Sequence, residues 1–204
     1  MHHSNAIYLL HGFASAPKYP SEKAQVLEQV FELPVKQLCY ESGSSFQDNL
    51  KALITQVDIA PLFFVGTSLG AFYASRLAEY FRKQTAMPIM LNPCHNPFAV
   101  LKGMVGTHKN FVSGSPFELT DKAVASYRDV PFIDTSIVMP RWILLNRDDE
   151  LLDALETEDL YRDKLEIMTF EHGGHRFENI VSPEVTSALE RINNTYWLNG
   201  LTSD

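Results

Sequence analysis

The chain contains few cysteines and few basic residues. Its 204 residues include two cysteines, Cys39 and Cys94, too few for a disulfide framework. We therefore expect a reducing compartment, the cytoplasm. Lysine and arginine number 17 against 25 aspartates and glutamates, which gives a formal net charge of −8. Because such a chain has no basic cluster to offset phosphate repulsion, we expect neither nucleic acid nor an anionic membrane as a partner.

Long apolar runs are also missing from the sequence. No run reaches the length of about 18 residues that a membrane-spanning helix requires. The N-terminus has no basic region, and its apolar run leads directly into a glycine-containing loop, so we expect no signal peptide. Since 45% of the residues are hydrophobic, we expect residues 1–204 to form a single domain with a sizeable core.

Helical and strand patterns alternate along the chain. Apolar residues recur at helical spacing in segments 21–31, 46–57, 68–83, 153–161 and 183–192. Short apolar runs typical of buried strands lie at 6–10, 35–40, 61–65, 87–91, 141–146 and 165–170. Such alternation predicts parallel strands joined by right-handed helical crossovers, and hence a three-layer α/β/α sandwich around a mainly parallel six-stranded sheet.

One segment interrupts this alternation. From Pro93 to Pro140 the chain is too long for a plain connection, which usually takes only a few residues. We predict a small lid-like insertion at about 94–139, with a helix over 120–128. Its apolar residues either line the lid or pack the insertion onto the sheet, and the candidates are Phe98, Leu101, Met104, Phe111 and Phe117.

The most informative motif is Gly66-Thr67-Ser68-Leu69-Gly70, which lies between a strand pattern and a helical pattern. Strand, G-x-S-x-G and helix together form a nucleophile elbow, in which a serine lies on a sharp turn. The strained backbone of such a turn requires nearly side-chain-free neighbours, which Gly66 and Gly70 supply. The pentapeptide alone also fits a glycine-rich turn with a solvated serine. Ser68 as a nucleophile therefore depends on further motifs.

The first of these motifs is His11-Gly12-Phe13, directly after the first predicted strand. A glycine there allows the loop to pass close to the nucleophile, and the next N–H group can face an oxyanion. We predict that the N–H groups of Phe13 and Leu69 form an oxyanion hole. For His11 we expect a hydrogen-bonded structural role rather than proton transfer.

A histidine loop near the C-terminus supplies the candidate base. The base of an acyl-transfer site lies on a loop beyond a strand end, and of seven histidines only His172 and His175 follow the last predicted strand. Because Gly173 and Gly174 free the backbone just before it, we predict His175 as the base. No glutamate follows His172 as in a zinc-protease helix, so we do not expect a metal site.

The acid is expected between serine and histidine in chain order, after the penultimate strand. The turn there carries more acids than one imidazole requires, namely Asp148, Asp149, Glu150 and Asp153. Asp153 is predicted to cap the next helix, because Glu156 occupies the capping-box position three residues later. Each of the other three, Asp148, Asp149 and Glu150, either orients the histidine or belongs to a solvated acidic loop.

Four blocks of the sequence together resemble the YqiA/YcfP-like family of small bacterial α/β-hydrolases, which are esterases. The blocks are residues 8–13, 65–71 and 91–93, and the pair 149–153 with 173–177. Members usually have Gly-Asp-Glu-x-Leu-Asp at the acid loop, with the first aspartate as the acid of a Ser-His-Asp triad. The resemblance therefore implies Ser68, His175 and Asp149 as the triad. Since Asp148 replaces the family's glycine, Asp148 stays an alternative acid.

The resemblance also implies a fold and an activity. We expect a minimal α/β-hydrolase fold with sheet order 2-1-3-4-5-6. The implied activity is hydrolysis of carboxylic esters with short acyl chains, without metal or organic cofactor, and the implied partner is a small-molecule ester or thioester. Because the same triad serves many reactions, an acyl-CoA thioesterase and a non-catalytic binding protein of this fold are alternatives. The sequence leaves the oligomeric state open.

Overall fold

The computed structural model describes residues 5–200 of the chain, with side chains up to residue 196. The strands in this part are β1 (Asn5–Leu10), β2 (Val35–Leu38), β3 (Ala60–Thr67), β4 (Met87–Leu91), β5 (Gly106–Lys109), β6 (Pro116–Leu119), β7 (Trp142–Asn146) and β8 (Glu166–Phe170). The α-helices are α1 (Glu22–Phe31), α2 (Phe46–Thr55), α3 (Leu69–Tyr80), α4 (Pro97–Leu101), α5 (Asp121–Ala125), α6 (Ala154–Tyr161) and α7 (Pro183–Gly200).

Six of the strands form one parallel sheet in the order β2-β1-β3-β4-β7-β8. This is the predicted order, counted over the strands of the main sheet. Side chains alternate between two apolar cores, so that Ile7 and Leu9 pack with α1 and α7, whereas Tyr8 and Leu10 pack with α2 and α3. The predicted three-layer α/β/α sandwich is therefore confirmed. None of the helices described has the length and apolar character needed to span a bilayer.

The last helix is longer than the pattern predicts. The prediction ended it at residue 192, but α7 continues to Gly200. Asn193, Asn194 and Thr195 have only moderately low helix propensity and do not stop a helix that tertiary contacts hold. One such contact is the ring of Tyr196, which packs edge-on against Phe63 with centroids 6.0 Å apart.

The insertion differs from its prediction in two respects. Its helix α5 is shorter than the predicted 120–128, and a two-stranded antiparallel hairpin of β5 and β6 was not predicted. Four-residue strands are too short to produce a clear alternating pattern. Four of the five candidate lid residues pack inward: Leu101 is buried, Phe98 and Met104 lie against the core, and Phe117 contacts Phe13. Phe111 is 73% exposed, and a lid function for this segment stays a prediction.

Candidate active site

Ser68 lies at the sharp turn between β3 and α3. Its backbone has φ 57° and ψ −121°, a conformation that is costly for any residue with a side chain. A Cβ on Gly66 would lie 2.2 Å from the carbonyl oxygen of Gly70, and a Cβ on Gly70 would lie 2.3 Å from that of His11. Both glycines are thus required by close backbone approach, as the motif predicts.

The loop after β1 passes directly over this turn. A Cβ on Gly12 would lie 3.5 Å from the Cβ of Ser68, which is ordinary contact. Gly12 is therefore close to Ser68 as predicted, although space alone would admit a small side chain there. Across residues 5–200, the N–H groups of Phe13 and Leu69 have no hydrogen-bond acceptor. The oxyanion hole of Phe13 and Leu69 stays a prediction.

Three hydrogen bonds hold the loop that carries Phe13. The N–H of Ala14 donates to Oγ of Ser42 at 2.8 Å, and its carbonyl accepts from the N–H of Phe111 at 2.7 Å. The side chain of Asn110 donates to the carbonyl of Ser15 at 2.8 Å. The hairpin of β5 and β6 thus braces this loop, a contact that the sequence pattern did not indicate.

His11 has the structural environment that the sequence predicts. Its ring stacks on Tyr40 with centroids 4.3 Å apart. Nδ1 donates to the carbonyl of Gly12 at 2.8 Å, and Nε2 accepts from the N–H of Tyr40 at 3.4 Å. Burial lowers the pKa of His11 and favours this neutral ring. Since backbone groups occupy both nitrogens, the ring shapes the loop.

His175 meets Asp149 at the carboxyl end of the sheet. Nδ1 of His175 lies 3.0 and 2.9 Å from the two carboxylate oxygens of Asp149. The two side chains are 13% and 2% exposed. The N–H groups of Leu151 and Leu152 also donate to Oδ1 of Asp149, at 2.8 and 2.9 Å, and fix its carboxylate. In a neutral ring, Nδ1–H that donates to the carboxylate leaves Nε2 with a lone pair.

The hydroxyl of Ser68 and the ring of His175 are not hydrogen-bonded to each other in the part of the chain with described side chains. Such bonds are often long in structures without substrate. The loops that carry the two residues are nevertheless joined through the end of β4. Leu91 accepts from the N–H of Ser68 at 3.0 Å, and Asn92 donates to the carbonyl of His175 at 3.1 Å.

The other acids of the turn hold backbone rather than the imidazole of His175, although Asp148 also lies 3.5 Å from Nδ1 of the exposed His172. Asp148 accepts from the N–H groups of Gly173 and Gly174 at 3.2 and 2.8 Å, and Glu150 accepts from the N–H of His175 at 2.8 Å. The Gly174 bond is the main reason that the pKa of Asp148 is lowered, and the His175 bond lowers the pKa of Glu150. Asp153 caps α6 as predicted. Sequence reasoning missed that two neighbouring acids brace the histidine loop.

These lowered pKa values predict how stability depends on pH. A carboxyl whose pKa is lower in the folded than in the unfolded state stabilises the fold above its unfolded-state pKa, and that contribution is lost as the pH falls through its folded-state pKa. For Asp148 the ordinary value is 3.8. We therefore expect Asp148→Asn to lower Tm at pH 7, and the difference from wild type to shrink as the pH falls below 3.8.

Melting curves between pH 7 and pH 3 measure this effect. Asp163→Asn, which removes an exposed carboxyl after α6, serves as the control for the change of charge alone. A Tm difference for Asp148→Asn that is constant over the whole range would contradict the prediction.

The residues next to β4 do not form a second reactive centre. Burial raises the pKa of the Cys94 thiol to about 12. The ring of His95 faces Thr157, with Nδ1 3.3 Å from Oγ1. Among the residues with described side chains, no three His, Cys, Asp or Glu side chains are arranged to hold a metal ion.

Two cavities lie beside the acid loop. The larger, of about 410 Å³, is lined by Arg147 and by Asp149 to Leu155, and the smaller, of about 110 Å³, lies between α4 and α6. Ligand pockets usually measure roughly 300–1,000 Å³. The larger cavity falls within that range, but neither cavity is lined by Ser68 or His175, so neither is assigned to a substrate.

The chain matches one protein-family model, and its fold is similar to several solved structures. The model of the uncharacterised protein family UPF0227 matches residues 5–190. Est1E from Butyrivibrio proteoclasticus is 14% identical with a TM-score of 0.72, over 95% of this chain and 88% of that one. Alpha/beta hydrolase domain-containing protein 10 from mouse is 12% identical with a TM-score of 0.68, over 97% of this chain and 90% of that one.

A third solved structure is the esterase domain of a Rhodothermus marinus protein, with 16% identity and a TM-score of 0.62 over 93% of this chain and 85% of that one. Identities this low show the fold alone. The six-stranded, mainly parallel sheet and its helices thus have the α/β-hydrolase fold, as the motifs predict.

Proposed function

Because this chain belongs to the UPF0227 family, whose YqiA/YcfP-like members its motifs resemble, we propose that it is a serine hydrolase of carboxylic esters. One observation carries the proposal. At a single end of the sheet lie a strained serine, two N–H groups without acceptors within residues 5–200, and a histidine whose Nδ1 is 2.9 Å from a buried carboxylate. Nucleophilic catalysis needs these three parts together.

In the proposed reaction, Nε2 of His175 accepts the proton of the Ser68 hydroxyl as its oxygen attacks the ester carbonyl. Asp149 holds the imidazole in the required tautomer and stabilises its cation. The N–H groups of Phe13 and Leu69 bind the oxyanion, each worth about 3–4 kcal/mol in the transition state. His175 then protonates the leaving alcohol, and water attacks the acyl-enzyme to release the acid and free Ser68.

A fluorophosphonate probe tests the proposal directly. Such a probe phosphonylates a serine only when a neighbouring base activates it, so the wild-type protein should be labelled on Ser68 and should hydrolyse p-nitrophenyl butyrate. A protein of this fold that only binds ligands would show neither property. Absence of both labelling and turnover across a panel of esters and acyl-CoA thioesters would refute the proposal.

We also propose that the acyl group is short. Most apolar side chains of the insertion pack inward and leave little apolar surface for a long chain. We expect kcat/KM for p-nitrophenyl esters to rise by up to about fourfold per methylene, the equivalent of about 0.8 kcal/mol, and to stop rising after a few carbons.

Acetate, butyrate, decanoate and palmitate esters, run beside acetyl-CoA and palmitoyl-CoA, measure this dependence. The short esters should be the best substrates. A rate that climbs steadily to palmitate or palmitoyl-CoA would contradict the prediction and favour a thioesterase or lipase-like activity.

For the compartment we propose the cytoplasm, since the cysteines Cys39 and Cys94 are both free thiols.

A further inference from the structure

Asn92 connects the strand beside the proposed nucleophile to the loop of the proposed base. It follows β4 directly, is 2% exposed and has φ 41°, in the left-handed region that asparagine tolerates better than most residues. Its Nδ2 donates to the carbonyl of Gly174 at 2.8 Å and to that of His175 at 3.1 Å. The main chain at His175 is thus held by a side chain from the centre of the sheet.

A second buried asparagine completes this arrangement. The N–H of Asn146 donates to Oδ1 of Asn92 at 2.8 Å, and its Nδ2 donates to the carbonyl of Gly174 at 3.0 Å. Asn146 lies at the end of β7, three residues before Asp149. The same pair of amides therefore touches the strand that leads to the acid and the loop that carries the base.

The chemistry at position 92 requires a carboxamide. One atom must accept from a backbone N–H while another donates to two carbonyls, and only a side chain with both an oxygen and an NH₂ group meets both needs. Asn92 and Asn146 are buried, the two carbonyls that Asn92 meets are partly buried, and a carbonyl withdrawn from water without a donor is costly. The carbonyl of Gly174 keeps two other donors, Nδ2 of Asn146 and the N–H of Phe177, so the carbonyl of His175 is the one that would lose its donor without the amide. The backbone at His175 would then shift to find another partner.

We infer that Asn92 is a positioning residue for the proposed catalytic base. It fixes the main chain at His175 relative to β4, whose last residue, Leu91, accepts from the N–H of Ser68. The inference rests on the proposed function, because it assigns a role in the same reaction. Asn92 acts through His175 and does not touch the substrate.

The variant Asn92→Asp tests this role. Aspartate has the same shape, tolerates the left-handed backbone and keeps the acceptor for Asn146, but it cannot donate to the two carbonyls. Since a displacement of about 1 Å can cost about 100-fold in rate, we expect kcat for p-nitrophenyl butyrate to fall 10- to 100-fold. KM should stay within about twofold, and fluorophosphonate labelling should slow by the same factor as kcat.

The chain offers a matched control in Asn49. It is also 2% exposed, and its Nδ2 donates to the carbonyl of Glu41 at 2.9 Å and to the hydroxyl of Tyr73 at 3.1 Å, in the helix layer of α2 and α3. Asn49→Asp makes the same chemical change at the same burial. We expect it to lower Tm about as much as Asn92→Asp while kcat per folded molecule stays within about threefold of wild type.

Three outcomes would overturn the inference: an active Asn92→Asp with kcat within threefold of wild type, a loss confined to KM, or an equal loss of kcat in Asn49→Asp. Should Asn92→Asp fail to fold, Asn92→Gly accommodates φ 41° without a buried charge, and we expect the same fall in kcat for it. A wild-type protein without hydrolase activity would instead refute the proposed function, so the two failures are distinguishable.

Discussion

Replacing Ser68 by alanine is expected to abolish ester hydrolysis while leaving the fold intact. The hydroxyl is the proposed nucleophile, and loss of such a group costs on the order of 10⁶ in kcat. Alanine keeps the Cβ that already occupies the strained backbone of the elbow, and the hydroxyl of Ser68 forms no hydrogen bond that holds the described residues together. Turnover of p-nitrophenyl butyrate and Tm measure the two effects.

Ser75→Ala is a control variant that should lower stability without lowering activity. It lies in the same helix, α3, is fully buried, and donates through Oγ to the carbonyl of Phe132 at 2.7 Å. Ser75→Ala leaves that carbonyl without its donor, at a cost of about 1–3 kcal/mol. We expect Ser75→Ala to lower Tm by several degrees, at about 2–4 °C per kcal/mol, and to keep its activity. Equal turnover in Ser68→Ala and wild type would exclude Ser68 as the nucleophile.

The second large effect is expected at Asp149. Its carboxylate accepts from Nδ1 of His175 and so selects the tautomer in which Nε2 can act as the proposed base. In Asp149→Asn the amide can donate to Nδ1 and favour the wrong tautomer. By analogy with the acid of serine proteases, kcat should fall on the order of 10⁴. The measurement is kcat for p-nitrophenyl butyrate, with Tm recorded beside it.

Asp148→Asn is the matched comparison, because the two aspartates are adjacent and only one touches the imidazole of His175. Asp148 accepts from Gly173 and Gly174, and asparagine keeps one acceptor for them. We expect a loss of less than about tenfold in kcat. The reverse ranking would make Asp148 the acid and would show that, in the working enzyme, the loop adopts a different register from the one described.

The parallel strands and the three layers could be predicted from the sequence because each strand of the main sheet is a short apolar run separated from the next by a helical pattern. β4 and β7, for example, are buried at every residue, as parallel strands covered on both faces are. The hairpin of β5 and β6 could not be predicted, since its four-residue strands are partly exposed and their partners are set by the insertion's packing on Phe13.

The candidate site likewise has parts that the sequence predicts and parts that it does not. Ser68 and Gly66 are identifiable from local sequence because Gly66 lies against the backbone of Gly70, four residues later, whereas Gly70 itself is required by the carbonyl of His11 on the loop after β1. The roles of Asp148, Asp149 and Glu150 are not, because three consecutive acids on one turn have the same local chemistry.

The sequence by itself determined the parallel α/β arrangement, the elbow and the set of residues able to supply a base and an acid, because all of these depend on local pattern, whereas the order of the strands was implied by the family resemblance. Only the tertiary structure decided which acid meets the imidazole and which acids hold backbone N–H groups, and it brought Asn92 beneath the histidine loop. The physical reason is that these contacts join segments 25 to 83 residues apart, whose relative positions are set by the packing of β4, β7 and β8.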